Sequence, residues 1–230
     1  MKSVLKNSLA AVALAAATVG AGVAPVHAQV AGIATSSPEA VLAQSQALGN
    51  AYNAINAANA SQIQQISTLR TELNTLSQGL DTNGDRNVTQ AEADAQPSVW
   101  QQYQQKEQQI DQLLGPIILA QYYVIEQLLE RYGEAQRQVI QAKNIQVMLA
   151  PDAFQYAAEG VNVTDDILAA LNTLVPAVTT TPPSNYQPRR DVVATYQSVQ
   201  QILAIAAQQA AARQQQGQPA QPAQQQPTGR

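Results

Sequence analysis

The sequence predicts a mainly α protein, a long antiparallel coiled-coil helical hairpin (the arm) standing on a small β-body. Three observations predict it. Two long stretches, one ending at Leu80 and one running from about Ser98 to Lys143, carry apolar residues at spacings of three and four. A polar break at residues 81–97 separates them. Short apolar or alternating segments at residues 29–35 and 144–150 lie at the two ends of that hairpin, where an antiparallel pair of helices returns the chain to its start.

The elements follow in chain order. Lys2 and Lys6 precede a run of small apolar residues, roughly Ser8 to Val23, and then Val26-His27-Ala28. This is the basic start, short apolar stretch and A-x-A-like site of a cleavable signal peptide, expected over residues 1–28 with cleavage after Ala28. A membrane anchor would need about 20 strongly apolar residues, and this run is Ala, Gly and Thr with little Leu. No second apolar stretch of that length follows, so an exported chain without a transmembrane segment is expected. Residues 29–44 hold the first strand (29–35) and a helix start. Ser37 can cap, Pro38 suits the first helical position and Glu39 favours the positive helix end.

From Pro38 to Leu80 there is no further Pro, which predicts one long helix with the seam Leu48, Tyr52, Ile55, Ile63, Ile66, Leu69, Leu73, Leu76 and Leu80. The seam of the second helix is Leu114, Ile118, Ile125, Leu128, Tyr132, Ala135, Val139 and Ala142, with Gln121 as a polar intruder. The arm thus spans residues 45–143. Gly115-Pro116 interrupts the second helix chemically: Pro removes a donor and Gly adds freedom, so a kink or a working hinge is expected there. Two helices alone are too thin to bury a core, and the base must be broadened. Residues 144–176 supply closing strands at 144–150 and 153–158, a turn at Glu159-Gly160, and a helix capped by Thr164 with Asp165 and Asp166 in its first turn. Thr/Pro-rich residues 177–188 read as a linker and residues 189–213 as an extra helix. That helix has one apolar face, Val192, Val193, Tyr196, Val199, Ile202, Leu203 and Ile205, and is expected to pack on the body, with lying along an arm as the alternative. Gln/Pro-rich residues 214–230 read as a disordered tail.

Composition excludes several functions. The 230 residues contain no Cys and one His, which falls in the segment expected to be removed. Without them the chain has no disulfide, no thiolate nucleophile, and neither the best metal ligands nor the usual general base near neutrality. The carboxylates are scattered, with no pair outside the tip placed for acid–base work, so no enzyme is expected. Removal of Lys2 and Lys6 leaves 10 basic residues against 16 acidic ones, a net charge of about −6. Arg189-Arg190 is the only adjacent basic pair, so no nucleic acid is expected as a partner.

The closing segment NIQVMLAPDAFQYAAEGVNVTDDILAALN, residues 144–172, follows a signal peptide, a short strand and a long hairpin. In that order it resembles the Skp/OmpH family of periplasmic chaperones, most specifically in GVNVTDDILAALN, with the resemblance covering Gln29 to Asn172. The resemblance implies a homotrimer in which each protomer gives strands to a trimerisation body. Three arms then surround a cavity that holds unfolded outer-membrane proteins on their way to the outer-membrane assembly machinery, without nucleotide, cofactor or catalytic residues. This chain departs from the better-known members in its acidic, Gln-rich arms and in everything after residue 177.

Two sets of candidate site residues remain. In the tip, Asp81, Asn83, Asp85, Asn87, Thr89 and Glu92 stand at positions 1, 3, 5, 7, 9 and 12 of a twelve-residue EF-hand-like loop. Val88 takes the apolar eighth place, and Ca2+ would use this ring of oxygens, Asn87 through its carbonyl. Position 6 is Arg86 where the turn wants Gly, and an Asx-rich turn capping two helices would need the same residues. In the arm, Leu113, Ile117, Leu119, Tyr122 and Tyr123 lie in the most apolar stretch of the second helix, and this excess marks them as a client contact. The expected function is an ATP-independent periplasmic holdase for unfolded outer-membrane proteins. The competing readings are a structural coiled-coil envelope protein and a calcium-binding envelope protein using the tip loop.

Overall fold

The computed structural model describes residues 32–156 and 158–216. The expected leader and its cleavage site, the first residues of the first strand and the end of the Gln/Pro-rich tail lie outside the described residues. Strand β1 (Ile33–Thr35) is followed by helices α1 (Pro38–Gln44), α2 (Gln46–Ala58) and α3 (Ala60–Leu80). A tip loop and short helix α4 (Gln90–Ala95) lead into α5 (Pro97–Ala142), which returns to β2 (Val147–Leu149). Helices α6 (Thr164–Leu174) and α7 (Arg190–Gln216) complete the chain.

The start of α1 is built as its residues dictate. The Ser37 hydroxyl accepts the Ala40 N–H at 3.2 Å, and Pro38 occupies the first turn. The expected single helix to Leu80 is instead three helices. Ser45 stops α1, where both its N–H and its hydroxyl donate to the Leu42 carbonyl. It also starts α2 by accepting the Leu48 N–H at 3.2 Å. Asn59 stops α2 the same way, its side-chain amide donating to the Ile55 carbonyl at 2.7 Å. Short polar side chains that compete for backbone groups break a helix whose apolar period continues through them.

Above the base, α3 and α5 pair as the arm, with Ile66 and Leu80 buried from one side and Ile110 and Ile117 from the other. Lys106 and Glu72 form an ion pair across them. The seam of α5 keeps the expected residues from Ile125 to Val139. In the upper arm it turns, so that Ile117 is buried while Leu114 and Ile118 are only partly covered. Gln121 is therefore not a flaw in the seam; it faces α7, where its carbonyl oxygen accepts the Tyr196 hydroxyl at 2.8 Å. Helix α5 runs 46 residues without interruption through Gly115-Pro116.

At the foot of α5 the chain reverses through a helix-ending turn. Asn144 takes the left-handed conformation (φ 53), the Ile145 N–H reaches back to the Ile140 carbonyl at 3.0 Å, and the Asn144 N–H reaches Gln141. That reversal makes β1 and β2 parallel, pairing Ile33 with Val147, Ala34 with Met148 and Thr35 with Leu149. A parallel pair needs a crossover connection, and here the whole arm is the crossover. Gly32 opens β1 at φ 80, and its carbonyl accepts the N–H groups of Gln146 and Val147 at 2.7 and 2.8 Å. A methyl group there would sit 3.0 Å from the Gln146 side chain. Gly32→Ala is therefore expected to destabilise the fold by about 1–2 kcal/mol in urea melts, from the left-handed backbone cost alone. Gly49→Ala, in the middle of α2 with open space around it, should move the melt the opposite way by about 0.5–1 kcal/mol.

The second closing strand, expected over 153–158, is absent among the described residues. Pro151–Ala153 forms a single 3-10 turn, and Tyr156 stands 85% exposed beyond it. These residues find no ladder partner among the described residues. The GVNVTDDILAALN segment instead clasps the body. Asn162 bridges to Thr35, and Val163 donates to the Thr35 carbonyl at 2.9 Å. Thr164 is the first helical residue rather than the cap, and its hydroxyl oxygen accepts the Ser37 N–H. Asp166 pairs with Lys143 at 2.9 Å, while Asn172 accepts the Gln46 N–H at 3.0 Å. Ile167 and Leu171 are fully buried between these anchors.

Helix α7 broadens the base. It packs on α1 and α5 with Val192 and Val199 fully buried. Arg189 lies beside Glu126 and Glu130 whereas Tyr196 meets Gln121 and Tyr122, so α7 climbs antiparallel to α5, towards the tip.

Candidate functional site

The tip loop links its candidate residues through hydrogen bonds to its own backbone, and among the described residues it gathers no group of three or more Asp, Glu, His or Cys placed to hold a metal ion. The Asp81 carboxylate accepts the Gly84 N–H at 2.7 Å and the Arg86 N–H at 2.8 Å. Asn83 accepts from the Asp85 amide and Asp85 from the Asn87 amide. Arg86 takes the left-handed conformation (φ 68) that the sixth position of such a loop demands, so an Arg occupies the place where Gly is usual. Glu92 closes the loop. One carboxylate oxygen accepts the Thr82 N–H (2.8 Å), the Thr82 hydroxyl and the Asn83 N–H; the other accepts the N–H and hydroxyl of Thr89. Thr89 in turn caps α4, completing a capping box. Hydrogen bonds from Thr89, then from Thr82, hold the Glu92 carboxyl down to about 2, although the residue is only 7% exposed. The Gln96 side chain ties this unit to the end of α3 by donating to the Gly79 carbonyl at 3.1 Å.

The arm carries two open grooves between α3 and α5. One, of 530 Å³, is lined by Gln64, Gln65, Thr68, Leu69, Gln109, Gln112 and Leu113. The other, of 600 Å³, has Ile63, Ile66, Leu114 and Ile117 as its apolar floor and Asn56, Ser67, Arg70, Thr71 and Asn74 at its rim. Leu113 and Ile117 thus line opposite grooves, Ile117 largely buried in the floor, and Leu119 stands 36% exposed.

Tyr122 and Tyr123 are not open in the same way. Tyr122 meets the Tyr196 ring edge-on at 4.8 Å, and Tyr123 meets Tyr186 at 5.1 Å. Both partners come from the segment after residue 176, over 60 positions away, and only Tyr196 carried a sequence signal, on the apolar face of the last helix. Gln127 had no signal at all. Its side-chain amide donates to the Thr179 carbonyl at 2.8 Å while its oxygen accepts the Thr179 N–H at 3.1 Å, so one carboxamide holds both main-chain groups of an extended residue. Trp100 and Tyr103 stack on each other at 5.3 Å near the tip.

Fold and site together define a helical-arm protein: a long polar-rimmed hairpin rising from a parallel strand pair, with its carboxylates spent on structure at the tip. A family model described as "Outer membrane protein (OmpH-like)" matches residues 32–171. The chain belongs to this OmpH-like family. Among solved structures, it is similar to a Caulobacter crescentus CB15 protein described as an outer membrane chaperone (OmpH-like). That match has 20% identity and a TM-score of 0.42, over 67% of this chain and 93% of that one. No curated protein matches the chain. The family match ends at Leu171, so the extended segment on α5 and the whole of α7 lie beyond it.

Proposed function

We propose that the chain is a periplasmic, ATP-independent holdase that binds unfolded outer-membrane proteins as a homotrimer and keeps them from aggregating on the way to the assembly machinery. Membership of the OmpH-like family and the leader pattern at residues 1–28 support the setting. The observation that carries the reading is the arm itself. Its grooves set Gln, Asn, Ser and Thr side chains around apolar floors, which offers donors and acceptors to an unpaired main chain and apolar surface to its side chains. Such a surface occupies the strand edges through which unfolded β-barrel chains would otherwise pair. Binding then holds the client by mass action, without catalysis. Among the described residues no helix is long and apolar enough to cross a membrane.

The strand pair supports the trimer. A two-stranded parallel sheet with one face in water is unusual, since parallel sheets are ordinarily covered on both faces. Here Ile33, Val147 and Leu149 share the outer face at 37, 45 and 39% exposure. The Thr35 hydroxyl on that face is buried without a partner. Val147→Lys is expected to shift the protein from trimer to monomer at micromolar concentration, as read by light scattering coupled to size exclusion, with helicity retained. A trimer that survives both Val147→Lys and Ile33→Lys would place the interface elsewhere.

The holdase is tested by diluting a urea-unfolded porin into buffer with one trimer per client and no nucleotide. Suppressed scattering is expected. Unchanged scattering at several-fold excess would move the structural coiled-coil reading ahead.

Arg86 in the left-handed conformation meets the sequence objection to the EF-hand-like loop, its sixth position. Both Glu92 oxygens, however, already accept protein donors, and no group of three or more Asp, Glu, His or Cys among the described residues is placed to hold a metal ion. Calorimetric titration with Ca2+ in chelator-treated buffer tests the loop, with Asp81→Ala as the control; heat that persists in the variant, or no heat in the parent, would remove calcium from the tip.

A further inference from the structure

Between the last turn of α6 and the first of α7, residues 176–189 cross α5 as a strap that turns at 183–186, where the Tyr186 N–H donates to the Pro183 carbonyl at 3.0 Å. Val178 packs against the core, and three further contacts hold the strap. Gln127 takes the N–H and carbonyl of Thr179, and also accepts the Thr179 hydroxyl at 3.0 Å. Tyr123 takes the Tyr186 ring edge-on. Glu126 takes the Arg189 guanidinium at 3.1 Å. The first contact reads main chain and adds a hydroxyl; the second needs an aromatic ring; the third needs a cation.

The strap fits this face incompletely. A groove of 560 Å³ lies between residues 177–181 and Ala47, Asn50, Ala51 and Ala54, and one of 370 Å³ between residues 174–178 and Gln127, Glu130 and Arg131. The Tyr186 hydroxyl lies against the Glu126 carboxylate, and burial together with that carboxylate pushes the Tyr186 phenol up. Arg189 is half exposed and its contact with Glu130 at 3.8 Å is screened and weak, whereas Glu126, its partner at 3.1 Å, is largely buried. Helix α7 is anchored separately by Val192 and Val199. The strap can therefore lift as a loop without unpacking α7.

We propose that Tyr123, Glu126 and Gln127 form a binding site on α5 for an extended, tyrosine-bearing polypeptide segment, which the chain's own strap covers until such a segment displaces it. The inference deepens the holdase reading by naming a client site at the arm base, and rests on that reading for the source of the segment. Two-point main-chain recognition beside an aromatic ring suits unfolded chains of many sequences.

The test uses the full chain and a fluorescently labelled peptide of residues 176–189. In Tyr186→Ala/Arg189→Glu, the resident strap is weakened while the α5 face is intact. The peptide is expected to bind this variant at least tenfold more tightly than the parent, with unchanged helicity by circular dichroism. Adding Gln127→Ala should return binding to the parent level or below. Equal affinity for parent and strap variant, or binding indifferent to Gln127, would overturn the site. Urea-unfolded porin is then added as competitor. Displacement of the peptide supports the site as a client site. Porin kept soluble with the peptide undisturbed overturns the inference and leaves the holdase standing. Peptide bound but porin aggregating supports the site and sinks the holdase.

Discussion

Replacing Leu128 by alanine is expected to lower the stability of the protein by about 2–5 kcal/mol, the usual cost of emptying a fully enclosed leucine site. Leu128 has no exposed surface, and α5 is the helix on which α1, α2, α6 and α7 all pack. Collapse into the hole would need several of those helices to move at once, which favours the upper part of that range. Leu119 stands nine positions earlier on the same helix, 36% exposed, and Leu119→Ala should cost less than about 1 kcal/mol because little surface returns to water. Urea unfolding at one fixed protomer concentration compares the two, since the stability of an oligomer depends on concentration. Equal losses for both variants would mean that the base of the arm is not the cooperative core.

The contrast between these leucines bears on what the sequence discloses. The lower seam of α5, Ile125 to Val139, is legible because apolar residues repeat at three and four without a break, and burial follows that period. The cap at Ser37 is legible because Ser, Pro and Glu act on their immediate neighbours. Ser45 and Asn59 are not, because whether such a side chain folds back on its own helix or points to water depends on what packs beyond it. Parallel pairing of β1 and β2 turns on the conformation of Asn144, one residue just before β2 and more than a hundred positions from the β1 partner it must meet. The strand expected at 153–158 looks apolar enough, yet a strand exists only with a partner edge.

The candidate site divides in the same way. The oxygen-rich tip announces itself, since its residues lie within twelve positions and bond to one another. The apolar excess of Tyr122 and Tyr123 is also visible, but not its use. The edge-on rings of Tyr196 and Tyr186 and the carboxamide of Gln127 meet across more than 50 positions, and no local pattern encodes that meeting. The last helix is likewise legible as amphipathic, while its climb along α5 is a property of packing alone.

The tip gives the sharpest dependence on pH. Glu92 is held down to about 2 in the folded protein, from an ordinary value of 4.5, by donors from Thr89 and Thr82. A carboxyl with a depressed folded value contributes stability that is complete above its unfolded value and lost as pH falls through the folded one. The window is therefore pH 4.5 down to about 2. Over it the parent protein is expected to lose amide protection at Thr82, Asn83 and Thr89, the three N–H groups that donate to this carboxylate. Glu92→Gln keeps an acceptor but not the charge. It should be less protected at pH 7 and nearly flat across the window, so that the two curves converge at the acid end. The difference between them isolates Glu92 from the other carboxyls, which titrate in both. Hydrogen exchange in chelator-containing buffer measures it free of any metal effect. Parallel curves would mean that the Thr89 capping box and Asp81, which accepts the Gly84 and Arg86 amides, close the loop without the Glu92 charge. Converging curves would identify a single carboxylate as the clasp that joins α3 to α4 and holds the two limbs of the arm in register.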